Sequence, residues 1–240
     1  MTAGKHRASR PATISAVNDQ HTRPIRIWDL PTRIFHWALA GSVAALVVTG
    51  HLGGEWMPWH ARLGYLVASL LAFRVVWGFV GGHWSRFSTF TVKPSKVVAY
   101  LRGEPFNGHG HSPAGSVSVV VILCVLALQV GSGLYSDDTA DFVGPLNRFV
   151  SNATAKVLTT YHKDFGQWLV VALVAIHVAA VAFYKWRQGL SLTAAMVGGD
   201  KVAAGGGGPG SRDDVTTRLL ALAIFGVIAA VVVALVGTSG

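Results

Sequence analysis

HKDFGQWLVVALVAIHVAAVAFY, residues 162–184, is an apolar run that opens on His162 and carries His177 fifteen residues further on. At 1.5 Å per residue the two histidines stand about 22 Å apart along a helix, with a net rotation of about 60° between them. They therefore leave roughly the same face near the two sides of a bilayer core about 30 Å thick. Ionisable side chains inside such a segment are costly and generally face the bundle interior, where they do something.

Four more apolar stretches surround this one. They run from Arg33 to His51, from His60 to Val80, from Ser116 to Leu134 and from Thr217 to Val236. Each approaches the roughly 20 residues that a helical crossing needs. Only 13% of the 240 residues are charged and 51% are hydrophobic, where a soluble domain carries about 25% charged residues. A soluble bundle would also need polar faces that these runs lack. The fold expected is an all-α integral membrane protein, a four-helix transmembrane bundle followed by a fifth C-terminal transmembrane helix. The single cysteine, Cys124, excludes a disulfide framework, a Cys-rich metal site and covalent haem attachment through a C-x-x-C-H motif. No cleaved targeting segment is expected in the first 25 residues, which hold no apolar core.

A net charge of +9 suggests nucleic acid only until the basic residues are placed; they are scattered and accompany no recognition motif. They sort by loop instead. Lys5, Arg7, Arg10, Arg23, Arg26 and Arg33 precede the first span, Arg86, Lys93, Lys96 and Arg102 lie between the second and third, and Lys185, Arg187, Lys201 and Arg212 follow the fourth. The other two loops carry Glu55, or Asp137, Asp138 and Asp141 against Arg148 and Lys156. The positive-inside rule puts the N-terminus in the cytoplasm and the C-terminus outside. The chain divides into a cytoplasmic arm (1–25), a membrane domain (26–197), a Gly-rich linker (198–214) and an additional helix (215–240). The linker reads as a tether that leaves the fifth span an appendage. Its Gly226, Ala229 and Ala230 make that span a candidate for homodimer or partner contact.

Of the ten histidines, His6, His21, His83, His109 and His111 fall in the arm or loops and are expected to be solvated surface residues. His109 and His111, on a Gly-rich loop, make at best a weak metal site. The other five lie in or at the ends of spans. The alternating direction of the helices puts His36 at the cytoplasmic level of His177 and His60 at the periplasmic level of His162. Two opposed pairs at two depths are what two non-covalent, bis-histidine b-type haems require, with both axial positions of each iron filled. His51, fifteen residues after His36, meets the same geometric requirement as His60, and spacing does not choose between them. Arg74 sits deep in the second span near the cytoplasmic level, where a buried guanidinium needs an anion such as a haem propionate. Arg62 could serve the outer haem or a plain interfacial role. Trp37, Trp59, Trp77, Trp84 and Trp168 are explained by an aromatic belt.

The chain resembles the cytochrome b561 and nickel-iron hydrogenase cytochrome b-subunit family over about residues 26–200. RIWDLPTRIFHW is similar to that family's W-D-x-P-x-R-x-x-H-W entry, and HARLGYLVASLLAFRVVWGFVG to its H-x-x-x-G-Y and F-R-x-x-W-G second helix. The pair His162 and His177 followed by LTAAMVGG is similar to its fourth helix and tail. The resemblance implies ligands at His36, His60, His162 and His177, favours His60 over His51, and puts the buried arginine at Arg74. Lys163 stands where the family often has Glu, and the fifth span lies outside the usual four-helix unit. The implied function is that of an electron-transfer cytochrome subunit of an oxidoreductase system, between a periplasmic redox protein (a hydrogenase, a dehydrogenase or a cytochrome c) and quinone as an exchangeable substrate. Electrons are expected to enter beside His60 and His162 and leave beside His36 and His177, with the loop from Ser136 to Tyr161 as docking surface. The competitors are a stand-alone oxidoreductase acting on superoxide or a metal at the outer haem, and a histidine-containing transporter or membrane anchor.

Overall fold

The structure, a computed structural model, describes residues 24–106, 108–138, 142–189, 191–202 and 208–237. Lys5, His6, Arg7, Arg10, His21, Arg23 and Asp141 lie outside them. The first span is α1 (Leu30–Leu52), and its start is fixed by Asp29, whose carboxylate accepts from the Thr32 amide while Pro31 occupies the first turn. It stops at Gly53, whose φ of 63° is open to glycine. The second span, α2 (Met57–Val80), begins with Pro58 in its first turn and packs antiparallel along α1. A short amphipathic helix, α3 (Pro94–Leu101), crosses the loop that follows. Ser112 caps the third span, α4 (Pro113–Tyr135), by accepting from the Gly115 amide.

The fourth span is longer than the apolar run suggests. α5 (Asn152–Thr160), capped by Ser151, runs through a π-helical segment at Tyr161–Gly166 into α6 (Gln167–Gln188). Such a segment widens the hydrogen-bond spacing from i+4 to i+5 and recurs at functional sites. Here it falls on His162 and turns that residue away from its purely α-helical direction. The short α7 (Leu192–Gly198) then leads into β2 (Asp200–Val202), which pairs antiparallel with β1 (Pro24–Arg26) in the register Pro24↔Val202, Ile25↔Lys201, Arg26↔Asp200. This clasp, sealed by Ile25, Ile27, Trp28 and Ala195, closes one end of the bundle. The last span is α8 (Val215–Gly237).

Among the described residues five helices are thus long and apolar enough to cross a membrane, and their outward faces carry residues such as Leu128, Ile176, Leu222 and Val233. The all-helical bundle is a multi-pass membrane protein. The main core lies between α1, α2, α4 and α8 and contains Phe35, Val67, Phe73, Trp77 and Leu126. The last helix is no appendage. Ala221, Ile224, Phe225 and Ile228 pack into that core, with Phe225 edge-on to Phe73 at 6.1 Å. The described end of the linker is docked as well: Ser211 donates through its amide to the Arg26 carbonyl and through its hydroxyl to Ile27, both at 2.7 Å. Asp213 then takes ion pairs from Arg26 (2.8 Å) and Arg218 (3.0 Å). Hydroxyl and charged residues, Ser211 and Asp213, fix this end of the linker.

Trp77 also departs from the belt reading. It is fully buried, and its Nε1 donates to the Asp29 carboxylate at 3.3 Å. That carboxylate, itself fully buried, also accepts from the Ser85 hydroxyl (2.8 Å) and the Gly82 amide (3.0 Å). A buried charge is tolerated when hydrogen bonds fill its lone pairs, and Asp29 thereby ties the start of α1 to the end of α2.

Candidate functional site

α1 and α2 on one side and the α5–α6 rod on the other carry the span histidines, and their rings meet in two places. His36 of α1 faces His177 of α6 with ring centroids 6.4 Å apart. His60 of α2 faces His162 with centroids 6.1 Å apart. All four are half-buried. His51 joins neither pair; it is exposed, 6.0 Å from the Trp168 ring, with Nδ1 2.8 Å from the Val47 carbonyl.

The His60–His162 pair, the outer one in the orientation expected from charge, is held in detail. His60 Nδ1 lies 3.1 Å from the Leu46 carbonyl, and His162 Nδ1 lies 2.9 Å from the Gln129 carbonyl. A carbonyl only accepts, so each Nδ1 carries the proton and each Nε2 is left with a bare lone pair, the arrangement that orients a metal-ligating histidine. A glycine lies four residues after each of those carbonyls. A Cβ on Gly50 would stand 3.0 Å from His60, and one on Gly133 would stand 2.8 Å from His162. Each imidazole therefore leans over a bare stretch of the neighbouring helix. Gln129 grips the π segment twice, since its side-chain amide also donates to the His162 carbonyl at 3.0 Å. Histidine counting passed over Gln129, Gly50 and Gly133; a glycine on an otherwise bulky apolar helix was the available signal.

Between the outer histidines lies a cavity of about 420 Å³, walled by Leu46, Gly64, Tyr65, Val67, Leu126 and Val130 among others. That lies in the range of roughly 300–1,000 Å³ typical of cofactor sites.

The His36–His177 pair, the inner one in that same expected orientation, has different surroundings. His36 Nδ1 is buried without a hydrogen-bond partner among the described residues, and so is Arg74 Nη1. Arg74, 3% exposed, lies over Phe87 at 4.7 Å and Phe90 at 5.9 Å. His111, expected on the surface, is instead packed between Trp28 (4.6 Å) and Phe90 (4.8 Å), with its Nδ1 also buried and unpartnered. Burial pushes its imidazole down to about 3, with Arg74 and His177 adding to the effect, so it is neutral at physiological pH. The loop between α2 and α4 folds back under the bundle, which loop composition does not reveal. His109 turns elsewhere, 5.9 Å from Trp84, and no cluster of three metal-ligating side chains occurs among the described residues. Arg62 stacks over Trp59 at 5.0 Å.

The spacing of the pairs fits an iron between them. Two metal–nitrogen bonds of about 2.0 Å, plus about 1.2 Å from each nitrogen to its ring centre, give about 6.4 Å. Direct hydrogen bonding between the rings would need a nitrogen pair at about 2.9 Å, and neither pair makes one among the described contacts. The orphaned Arg74 nitrogen fits the acidic edge of a porphyrin.

The family model of prokaryotic cytochrome b561 matches residues 27–199. Among curated proteins, the chain is similar to three named "Probable Ni/Fe-hydrogenase B-type cytochrome subunit" or, in the third case, "Probable Ni/Fe-hydrogenase 1 B-type cytochrome subunit". That of Azotobacter vinelandii is 27% identical over 73% of this chain and 87% of its own. That of Bradyrhizobium diazoefficiens is 23% identical, covering 74% and 85%. The Escherichia coli (strain K12) protein is 23% identical, covering 63% and 80%. No solved structure gives a significant match. Membership of a b-type cytochrome family implies haem b, consistent with facing imidazoles and the absence of a C-x-x-C-H motif. On the family match over most of its length, the chain belongs to the prokaryotic cytochrome b561 family.

Proposed function

We propose that the chain holds two haem b groups, one between His36 and His177 and one between His60 and His162, and carries electrons across the bacterial inner membrane between a periplasmic redox protein and the quinone pool. The observation that carries this reading is the presence of two facing histidine pairs at separate levels of one rod, each at the spacing a bridging iron needs. Haem bound there supplies reversible one-electron exchange. The protein's part is to hold and orient it. Leu46 and Gln129 keep Nδ1 protonated on the outer histidines, so Nε2 alone is free to bind a metal. Apolar side chains such as Leu46, Val67, Leu126 and Val130 give the outer cavity a wall for the flat faces of the group, while Asp138, Lys163 and Asp164 also line it. Arg74 offers charge to the inner group's acidic edge.

The names of the relatives favour a hydrogenase as the donor, with a dehydrogenase or small cytochrome c as other members of the same class. The distribution of basic residues supports a cytoplasmic N-terminus, which makes the His60–His162 level periplasmic. The loop from Ser136 to Tyr161 beside that level is the proposed docking surface. Purified chain, incubated with the reduced periplasmic partner and a quinone analogue, is expected to be reduced by the one and reoxidised by the other. Failure of quinone to reoxidise a reduced chain contradicts the proposal, and turnover of superoxide or metal without any partner supports the stand-alone oxidoreductase instead.

A further inference from the structure

Arg74 and His111 reach the inner site from different parts of the chain, one from the middle of α2 and one from the loop before α4. Each ends in a buried nitrogen, Nη1 and Nδ1, with no hydrogen-bond partner among the described residues. The Phe90 ring touches both, at 5.9 Å from the guanidinium carbon and 4.8 Å from the imidazole centre. A buried donor left without an acceptor is costly, and more so when charged. Two of them side by side mark a place where an acceptor belongs. Asp29, the carboxylate in electrostatic reach of Arg74 among the described residues, is already engaged by Thr32, Trp77, Gly82 and Ser85. Arginine matches a planar two-oxygen anion, and a neutral imidazole N–H adds a third donor without a second charge. The His111 imidazole lies within electrostatic range of both Arg74 and His177.

We infer that Arg74 and His111 together bind one carboxylate at the inner site, a propionate of the haem between His36 and His177. The inference rests on the haem reading above. It makes His111 a cofactor-binding residue, contributed by a loop that carries none of the paired histidines.

The test uses the full chain purified with its haem from cells fed aminolevulinic acid bearing carbon-13 in its carboxyl group, which labels the haem propionates. Redox-induced infrared difference spectra are compared for wild type, His111→Phe, His111→Asn, His111→Gln and Arg74→Gln. Label-sensitive carboxylate bands are expected to shift in His111→Phe and Arg74→Gln. They are expected to return in His111→Asn, whose side-chain nitrogen stands near the Nδ1 position, more fully than in His111→Gln. The inner haem should bind its electron about threefold to tenfold less tightly in His111→Phe, tenfold being 59 mV for one electron, while the outer haem is unchanged. Label-sensitive bands and an inner potential identical to wild type in both His111→Phe and His111→Asn overturn the inference. Bands that move on mutation but ignore the label also overturn it, by assigning the carboxylate to another source. Retention of both haems in His36→Ala would overturn the haem reading itself, a separate outcome.

Discussion

His162 lies over Gly133, so closely that a Cβ there would stand 2.8 Å from the imidazole Cε1. His60 lies over Gly50 in the same manner at 3.0 Å, and each histidine reaches the carbonyl four residues before its glycine. The outer pair is thus set by two bare helix positions as much as by the histidines. Gly133→Ala is expected to push the His162 ring off its carbonyl and abolish or shift the outer haem spectrum, with Gly50→Ala a milder version. Helix propensity predicts the opposite sign for stability, since Ala favours a helix interior over Gly by about 0.5–1 kcal/mol. Haem content against melting temperature separates the two; unchanged haem in Gly133→Ala removes the positioning role.

Asp29 holds α1 to α2 through four neighbours. Asp29→Ala leaves the Thr32 and Gly82 amides, the Trp77 indole and the Ser85 hydroxyl short of an acceptor in a buried site. A loss of about 3 kcal/mol or more is expected, each bond to a charged group being worth about 1.5–3 kcal/mol. Asp29→Asn should lose less, because one carbonyl oxygen remains. Thermal melting in detergent reads both, and equal melting temperatures for wild type and Asp29→Ala would refute the assignment.

Asp213 anchors α8 through Arg26, Arg218 and the Leu30 amide. Burial raises its carboxyl, but the Arg218 hydrogen bond, the Leu30 amide and the two arginines outweigh it and hold the group below the usual carboxylate range. A depressed folded value means the anchor contributes above the unfolded value of about 3.9 and is lost as pH falls through the folded one. Asp213→Ala should therefore lower the melting temperature at pH 7, by about 1–3 kcal/mol of stability, and the gap from wild type should close below about pH 4. A pH-independent gap would point to packing alone.

The proposed docking loop gives a third kind of prediction. Asp138 accepts from the Phe142 amide at 2.9 Å, and Asn at that position keeps an acceptor oxygen while removing charge. The double replacement Asp137→Asn and Asp138→Asn should slow reduction by a basic partner and flatten its salt dependence, with haem spectra intact. Unchanged rates at low salt would move the docking surface elsewhere.

Much of this was legible in the sequence, for reasons that can be named. The expected span from Arg33 to His51 is observed as Leu30–Leu52, and the one from Thr217 to Val236 as Val215–Gly237. Span length is set by bilayer thickness, and apolar runs report it directly. The levels at which His36 meets His177 and His60 meets His162 follow from helix rise and alternating direction. What stayed hidden depends on contacts distant in sequence. Trp77 looks like a belt residue until Asp29 is seen against it, and His111 like a surface residue until the loop folds under Phe90 and Trp28. The π segment at His162 is likewise invisible to a periodicity of 3.6, and the docking of the linker's described end turns on Ser211 and Asp213.

The most direct measurement is the dithionite-reduced minus oxidised visible spectrum of the detergent-purified chain, with pyridine haemochrome quantification, repeated for His51→Ala and His60→Ala. The account predicts two b haems per chain in wild type and in His51→Ala, and one in His60→Ala. Loss of a haem in His51→Ala with both retained in His60→Ala, or no haem in a folded wild-type chain, would contradict it.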